Sequence, residues 1–250
     1  MQRFRIKDLG QVDRSKPLRF KFDGKFYEGY RGDTLASALL ANGIHLVGRS
    51  FKYHRPRGLL SAGAEEPNAL IQVGEGNSTD PNTRATQIIL RDVLTVTSQN
   101  RWPNLTFDLG YVNNLIHRLL PAGFYYKTFM WPASWWMRYE YWIRRAAGLG
   151  EAPKGTDPDR YEKNHAHCDV LIVGSGPAGL SAALSAGQTG ARVILAEEQG
   201  SFGGSLTYNT DCTIDGLPAF EWVKRTAVSY THLRAHETGR NLVCRLLLEK

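Results

Sequence analysis

The run Gly174-Ser175-Gly176-Pro177-Ala178-Gly179 holds three glycines at the spacing that turns a strand into a helix beside a phosphate. Gly174 allows the tight turn, Gly176 lets the backbone approach a pyrophosphate, and Gly179 permits close packing of helix on strand. The first N–H groups of such a helix carry partial positive charge and suit an anion. Glu197 and Glu198 stand 23 and 24 residues after Gly174, where a carboxylate accepts hydrogen bonds from ribose hydroxyls and repels a 2′-phosphate. This chemistry favours NAD or FAD over NADP. The small residues Gly203, Gly204 and Ser205 add a permissive loop close to the same phosphates. The expected cofactor contacts are therefore Gly174, Ser175, Gly176, Pro177, Ala178, Gly179, Glu197, Glu198, Gly204 and Ser205.

A glycine triplet alone is a weak signal, and its context decides. Asp169 to Val173 reads as a buried strand, a helix runs from the glycines to about Gly190, and Ala191 to Ala196 forms a second strand ending at the acidic pair. Strand, glycines, helix, strand and acid thus follow in order within about 30 residues, the order a dinucleotide fold demands. No other constellation rises to this level. His165, His167 and Cys168 lack a fourth ligand, so no metal site is expected. His45 and His54 stand alone and read as structural or solvated. Neither a Ser-His-Asp set nor paired carboxylates can be assigned, and no catalytic residue is expected in this chain.

The elements before this motif belong to a different fold. PLRFKFDGKFYEGY alternates apolar and polar residues and breaks at Asp23-Gly24, a hairpin signal with a type I′ turn. A helix follows, with Asp33 as N-cap and Gly43 as its left-handed stop. GIHLVG reads as a strand, residues 50–68 as a long ordered loop, Ala69 to Val73 as a strand, and residues 84–98 as further strand. Together these predict a small β-grasp domain over residues 1–100. Between Trp102 and Trp142 lie five of the six tryptophans, so residues 101–165 are read as an aromatic-rich helical connector and linker. YVNNLIHRLL and Trp135 to Ala146 have helical spacing. Trp with Arg suits a membrane-surface helix as well as a protein interface, and the interface, where Trp, Tyr and Arg are enriched, is the reading taken. The fold class is thus α+β followed by α/β, a ferredoxin-like β-grasp domain and then a partial Rossmann domain over residues 166–227.

Composition narrows the partners. The net charge is +7, and residues 1–60 hold 13 Lys or Arg against 5 Asp or Glu, so the basic excess lies at one end. No nucleic-acid module is recognisable there, and an acidic protein is the expected partner. No apolar run reaches the roughly 18 residues of a membrane span, and the opening MQRFRIKDLG lacks the apolar stretch of a signal peptide, so a cytoplasmic location is expected. Three widely spaced cysteines, Cys168, Cys212 and Cys244, give neither a disulfide framework nor a metal knuckle.

GYRGDTLASALLANG, GRSFKYHRPRGLLSAGAEEPNALIQVG, an aromatic segment with KTFMWP, and CDVLIVGSGPAGLSAALSAGQTGARVILAEE, in that order, resemble the α subunits of heterotetrameric sarcosine oxidases from about residue 13 to about residue 227. The resemblance implies oxidative demethylation of sarcosine to glycine with hydrogen peroxide, and one-carbon transfer to tetrahydrofolate. It further implies β, γ and δ partner subunits, FAD and FMN in the assembled complex with the flavin centre on a partner chain, and NAD on this one. N-methylglutamate dehydrogenase has a similar subunit, and a non-catalytic dinucleotide-binding assembly module is the reading from another class. The first domain resembles plant-type ferredoxin domains, whose [2Fe–2S] cluster takes four thiolates at Cys-x4-Cys-x2-Cys spacing with a distant fourth. No cysteine precedes Cys168, so a domain without a cluster is expected, its basic face docking partners. Residues 228–250 depart from the family pattern and are expected to form a foreign, poorly packed tail on a truncated Rossmann sheet.

Overall fold

Asp23 and Gly24 adopt φ of 47° and 82°, the two left-handed conformations that a type I′ turn requires, and fold strand β1 (Asp13–Phe22) back on β2 (Lys25–Arg31). The computed structural model describes every residue except Met1, Asp8, Leu9, Gln11, 121–122, 124–128, 148–149, 151, 159, 161–164, 210 and 234–250. It divides into two units, Met1–Pro158 and Asp159–Lys250.

In the first unit helix α1 (Leu35–Ala41) follows the hairpin, and its N-cap is Thr34, whose side chain accepts from Ser37 N–H at 3.1 Å. The sequence pointed to Asp33 instead. Its buried carboxylate is used elsewhere, by the Arg5 guanidinium at 2.6 and 3.1 Å, Tyr30 N–H at 2.9 Å and the Ser37 hydroxyl at 2.7 Å. Gly43 ends the helix at φ 78°. GIHLVG is not a strand over most of its length; only Gly48 and Arg49 pair, forming β3 (Gly48–Arg49) with β4 (Pro56–Arg57).

Beyond the loop come β5 (Leu70–Val73), β6 (Asp80–Arg84) and β7 (Leu94–Ser98). The strand expected across residues 84–98 is interrupted because its middle serves the helix instead. Leu35 N–H donates to the Ile88 carbonyl at 2.8 Å, and Ala36 N–H to that of Ala85 at 3.0 Å. The sheet order is β2-β1-β7-β5-β6, with β1 parallel to β7 and the other neighbours antiparallel, which is the β-grasp arrangement. Phe20, Leu35, Leu39, Ile71 and Val96 fill the space between sheet and helix with no exposed surface.

A buried cluster fixes the strand-poor side of this unit. His54 Nδ1 lies 2.6 Å from the Asp108 carboxylate, and Arg49 donates to the Leu105 carbonyl at 2.8 and 3.0 Å. His54 is thus a structural histidine. The aromatic segment contains α2 (Val112–Leu115), flanked by 3-10 turns rather than one continuous helix, and α3 (Trp136–Ala147). Many of its large apolar side chains are exposed, Trp131 by 85% and Trp142 by 66%. Among the described residues no helix is long and apolar enough to cross a membrane.

The second unit begins with β8 (Val170–Val173), helix α4 (Pro177–Gln188) and β9 (Val193–Ala196), the two strands running parallel from Val170↔Val193 to Val173↔Ala196. Helix α5 (Ala219–Leu233) packs Trp222 and Val223 against Leu180, Ala183, Val193 and Leu195. It continues past residue 228, where the sequence suggested a change, while residues 234–250 of the expected tail lie outside the described residues. Among those described, the sheet has two strands, and Leu171 and Val173 on β8 are exposed.

Neighbouring leucines on α1 provide an internal control on the first core. Leu39 is fully buried and Leu40 is 39% exposed. Leu39→Ala is expected to cost roughly 2–5 kcal/mol in urea unfolding and Leu40→Ala under about 1 kcal/mol.

Candidate dinucleotide-binding site

The second apolar strand ends where a carboxylate can reach across to the first. Glu197 directly follows β9, and its Oε2 accepts from the Ser175 backbone N–H at 2.6 Å and also from the Ser175 hydroxyl. Oε1 accepts from Gln199 N–H at 3.0 Å. Ser175 is fully buried at the bend between β8 and α4, so the carboxylate is bonded to the glycine turn itself.

The turn is shaped by its glycines. Gly174 has φ 93°, and its N–H donates to the Ala196 carbonyl at 2.8 Å, extending the β8–β9 ladder into the bend. A Cβ on Gly179 would overlap the Gly174 carbonyl oxygen, so only glycine lets α4 sit this close to the turn. By contrast nothing lies within 4 Å of where a Cβ would stand on Gly174 or Gly176. That space is a cradle which a side chain would fill. Gly176 is the N-cap of α4, with no side-chain hydrogen bond to the helix start, and Pro177 occupies the first helical position, where its missing N–H costs nothing. The exposed Ala178 follows. The helix start thus presents backbone donors and the positive end of its dipole, as an anionic diphosphate requires.

A third segment closes on the same bend. Gly203, at φ 122°, donates its N–H to the Ser175 carbonyl at 3.0 Å and lies 3.3 Å from the Ser175 hydroxyl. A Cβ on Gly204 would stand 3.0 Å from Gly176 Cα, which marks the closeness of the two backbones. Ser205 is exposed in the short 3-10 turn that follows. The structure therefore gathers Gly174 to Gly179, Glu197, Gly203 and Gly204 at one place, while Glu198 is exposed. Sequence reasoning did not anticipate Ser175 as the link between them or Gly203 as a buried donor. The residues around Glu197 give no hint of it, because the bonds join residues 22 and 28 positions apart. Among the described residues no three His, Cys, Asp or Glu groups gather to hold a metal.

Two family models match the chain. Residues 15–101 match a 2Fe-2S iron-sulfur cluster binding domain, and residues 169–243 an FAD dependent oxidoreductase domain that begins at the foot of β8. Sarcosine oxidase subunit alpha from Rhizobium meliloti (strain 1021) is 59% identical over 228 residues, covering 91% of this chain and 23% of the relative. The chain is thus similar to sarcosine oxidase subunit alpha over most of its own length. The corresponding subunit of Corynebacterium sp. (strain P-1) is 36% identical over 230 residues, 90% of this chain and 19% of that one. The chain therefore spans less than a quarter of the length of these relatives. L-proline dehydrogenase from P.horikoshii shares the fold, with a TM-score of 0.50 and 20% identity over 92% of this chain and 34% of its own. A ferredoxin-like domain followed by an FAD-dependent-oxidoreductase-type domain is thus the architecture. The first has no cysteine for a cluster, so four-thiolate ligation does not fit it.

Burial would raise the Glu197 carboxyl, but hydrogen bonds from the Ser175 hydroxyl and from Gln199 and Ser175 N–H outweigh it and hold it below its ordinary 4.5. A group lowered on folding stabilises above its unfolded value and loses that contribution as pH falls through its folded one. At pH 7 Glu197→Gln is expected to unfold at a lower urea concentration than the parent chain. The gap should close as pH falls below 4.5, and a gap that stays constant to pH 3 would show the carboxylate makes no net contribution.

Proposed function

We propose that the second unit binds NAD through its ADP half. The diphosphate would rest over the bare turn at Gly174, Ser175 and Gly176 against the N–H groups of Ala178 and Gly179, with Pro177 presetting the helix start. Gly204 and Ser205 would border the diphosphate from the neighbouring loop. Glu197, and the exposed Glu198 beside it, would accept from the adenosine ribose hydroxyls. The observation that carries this reading is the Glu197 carboxylate bonded to Ser175 at the glycine bend, beside open space at Gly174 and Gly176. The dinucleotide would bring hydride-transfer capacity; the chain's own residues would bind and orient it. A second reading, FAD in the same cradle, is favoured by the FAD dependent oxidoreductase model that covers these residues.

The larger setting follows from the subunits this chain resembles. The proposed role is that of a supporting part of a sarcosine-oxidising assembly with β, γ and δ subunits, in which FAD and FMN chemistry takes place on or beside a partner chain. Such an assembly oxidises sarcosine to glycine with release of hydrogen peroxide, and tetrahydrofolate accepts the one-carbon unit. A cytoplasmic location accords with that role. The exposed tryptophans of the aromatic segment suit a subunit interface.

Calorimetric titration of the chain with NAD, NADP and FAD tests the cofactor. Saturable NAD binding is expected, at least about tenfold weaker for NADP because its 2′-phosphate meets Glu197, and roughly 10- to 100-fold weaker for Glu197→Gln. Tight FAD binding with none of NAD would replace the first reading by the second. Equal affinity for NAD and NADP would remove the role of the carboxylate.

A further inference from the structure

Glu66 is fully buried in the first unit, yet among the described residues no Lys or Arg forms an ion pair with its carboxylate. Its charge is met by backbone. Oε2 accepts from Leu60 N–H and Ser61 N–H, each at 2.7 Å, and Oε1 from Asn68 N–H at 2.8 Å and Ala69 N–H at 3.2 Å. The Ser61 hydroxyl stands 3.5 Å away. An isolated buried carboxylate is costly, and only such a concave ring of N–H donors makes it tolerable. The loop from Leu60 to Ala69 is therefore wrapped around an anion.

The positions matter as much as the bonds. Ser61, Glu66 and Ala69 are separated by four residues and then by two. This is the Cys-x4-Cys-x2-Cys spacing of plant-type cluster loops, and it lies inside the stretch matching a 2Fe-2S iron-sulfur cluster binding domain. A distant fourth position is also supplied. Thr86 is buried and donates its hydroxyl to the Gly63 carbonyl at 2.7 Å, in the middle of the loop. Ala85 N–H pairs with the Ala69 carbonyl at 3.0 Å, which fixes Thr86 beside the loop's end.

Cluster-binding loops turn backbone N–H groups toward the sulfurs of an anionic cluster, and those donors need a partner when the cluster is lost. We infer that the loop Leu60–Ala69 is the seat of a lost iron–sulfur cluster, with Ser61, Glu66, Ala69 and Thr86 at the four thiolate positions and the Glu66 carboxylate replacing the cluster as the buried anion that organises the loop. The first unit keeps the shape of an electron-transfer domain because one acid does the structural part of the cluster's work.

Two arms test this on the full 250-residue chain. In the first, the combined variant Ser61→Cys, Glu66→Cys, Ala69→Cys and Thr86→Cys is loaded anaerobically with iron and sulfide. It is expected to show the visible absorption and reduced-state paramagnetic spectrum of a [2Fe–2S] cluster, with about two irons per chain. The parent chain and a control with four cysteines shifted by one residue (Leu60, Glu65, Asn68 and Ala85 each replaced) are expected to show neither. A folded four-cysteine chain that takes up no more iron than the shifted control overturns the placement. In the second arm, Glu66→Gln is expected to lower the urea midpoint by on the order of 1 M, while Glu28→Gln, at an exposed site, leaves it unchanged. If the four-cysteine chain does not fold, this arm decides. A Glu66→Gln midpoint equal to the parent's overturns the anion's role, and a selective fall supports it.

Discussion

Glu197 joins the end of β9 to the bend after β8 through the Ser175 N–H and hydroxyl, and the candidate site depends on that link. Two parallel strands fix where the bend begins, but they leave its backbone free to lie in several ways. The carboxylate removes that freedom by accepting from Ser175, and the Ser175 carbonyl in turn accepts from Gly203. Glycine at 204 then lets its backbone approach Gly176, and glycine at 179 lets α4 pack on the turn. What is left over the bend is bare backbone with the positive end of a helix behind it, and an acid beside it that is ionised at neutral pH.

Carboxylates that collect backbone N–H groups recur in both units. Glu66 gathers four in the first, and Asp108 accepts from Trp102 and Gly110 N–H while facing His54. Each anion compensates loop backbone that no sheet or helix satisfies, so long loops become as determined as regular elements. This explains how a ferredoxin-like domain without cluster cysteines keeps its long loop ordered.

Local signals in the sequence suffice where one element decides its own shape. The Asp23-Gly24 turn, the Gly43 helix stop and the strand, glycine, helix, strand order around Gly174 follow from residues a few positions apart. Local signals mislead where distant partners decide. Thr34 rather than Asp33 caps α1 because Arg5 and Tyr30 claim the aspartate, and the strand across 84–98 breaks because the carbonyls of Ala85 and Ile88 receive helix donors. In the candidate site the glycine turn and the position of Glu197 beside it were legible from spacing. The bonding of Ser175 to Glu197 was not, since nothing in a serine's local context announces a partner 22 residues away.

Backbone amide NMR of the chain during NAD addition tests most directly whether the pinned bend is a nucleotide cradle. Large saturable shifts confined to Gly174, Ser175, Gly176, Ala178, Gly179 and the Glu197–Ser205 loop, with the amides of Leu60 to Ala69 unmoved, are the result this geometry requires. Saturable shifts that leave the glycine bend untouched, or none at all for NAD and FAD alike, would contradict it.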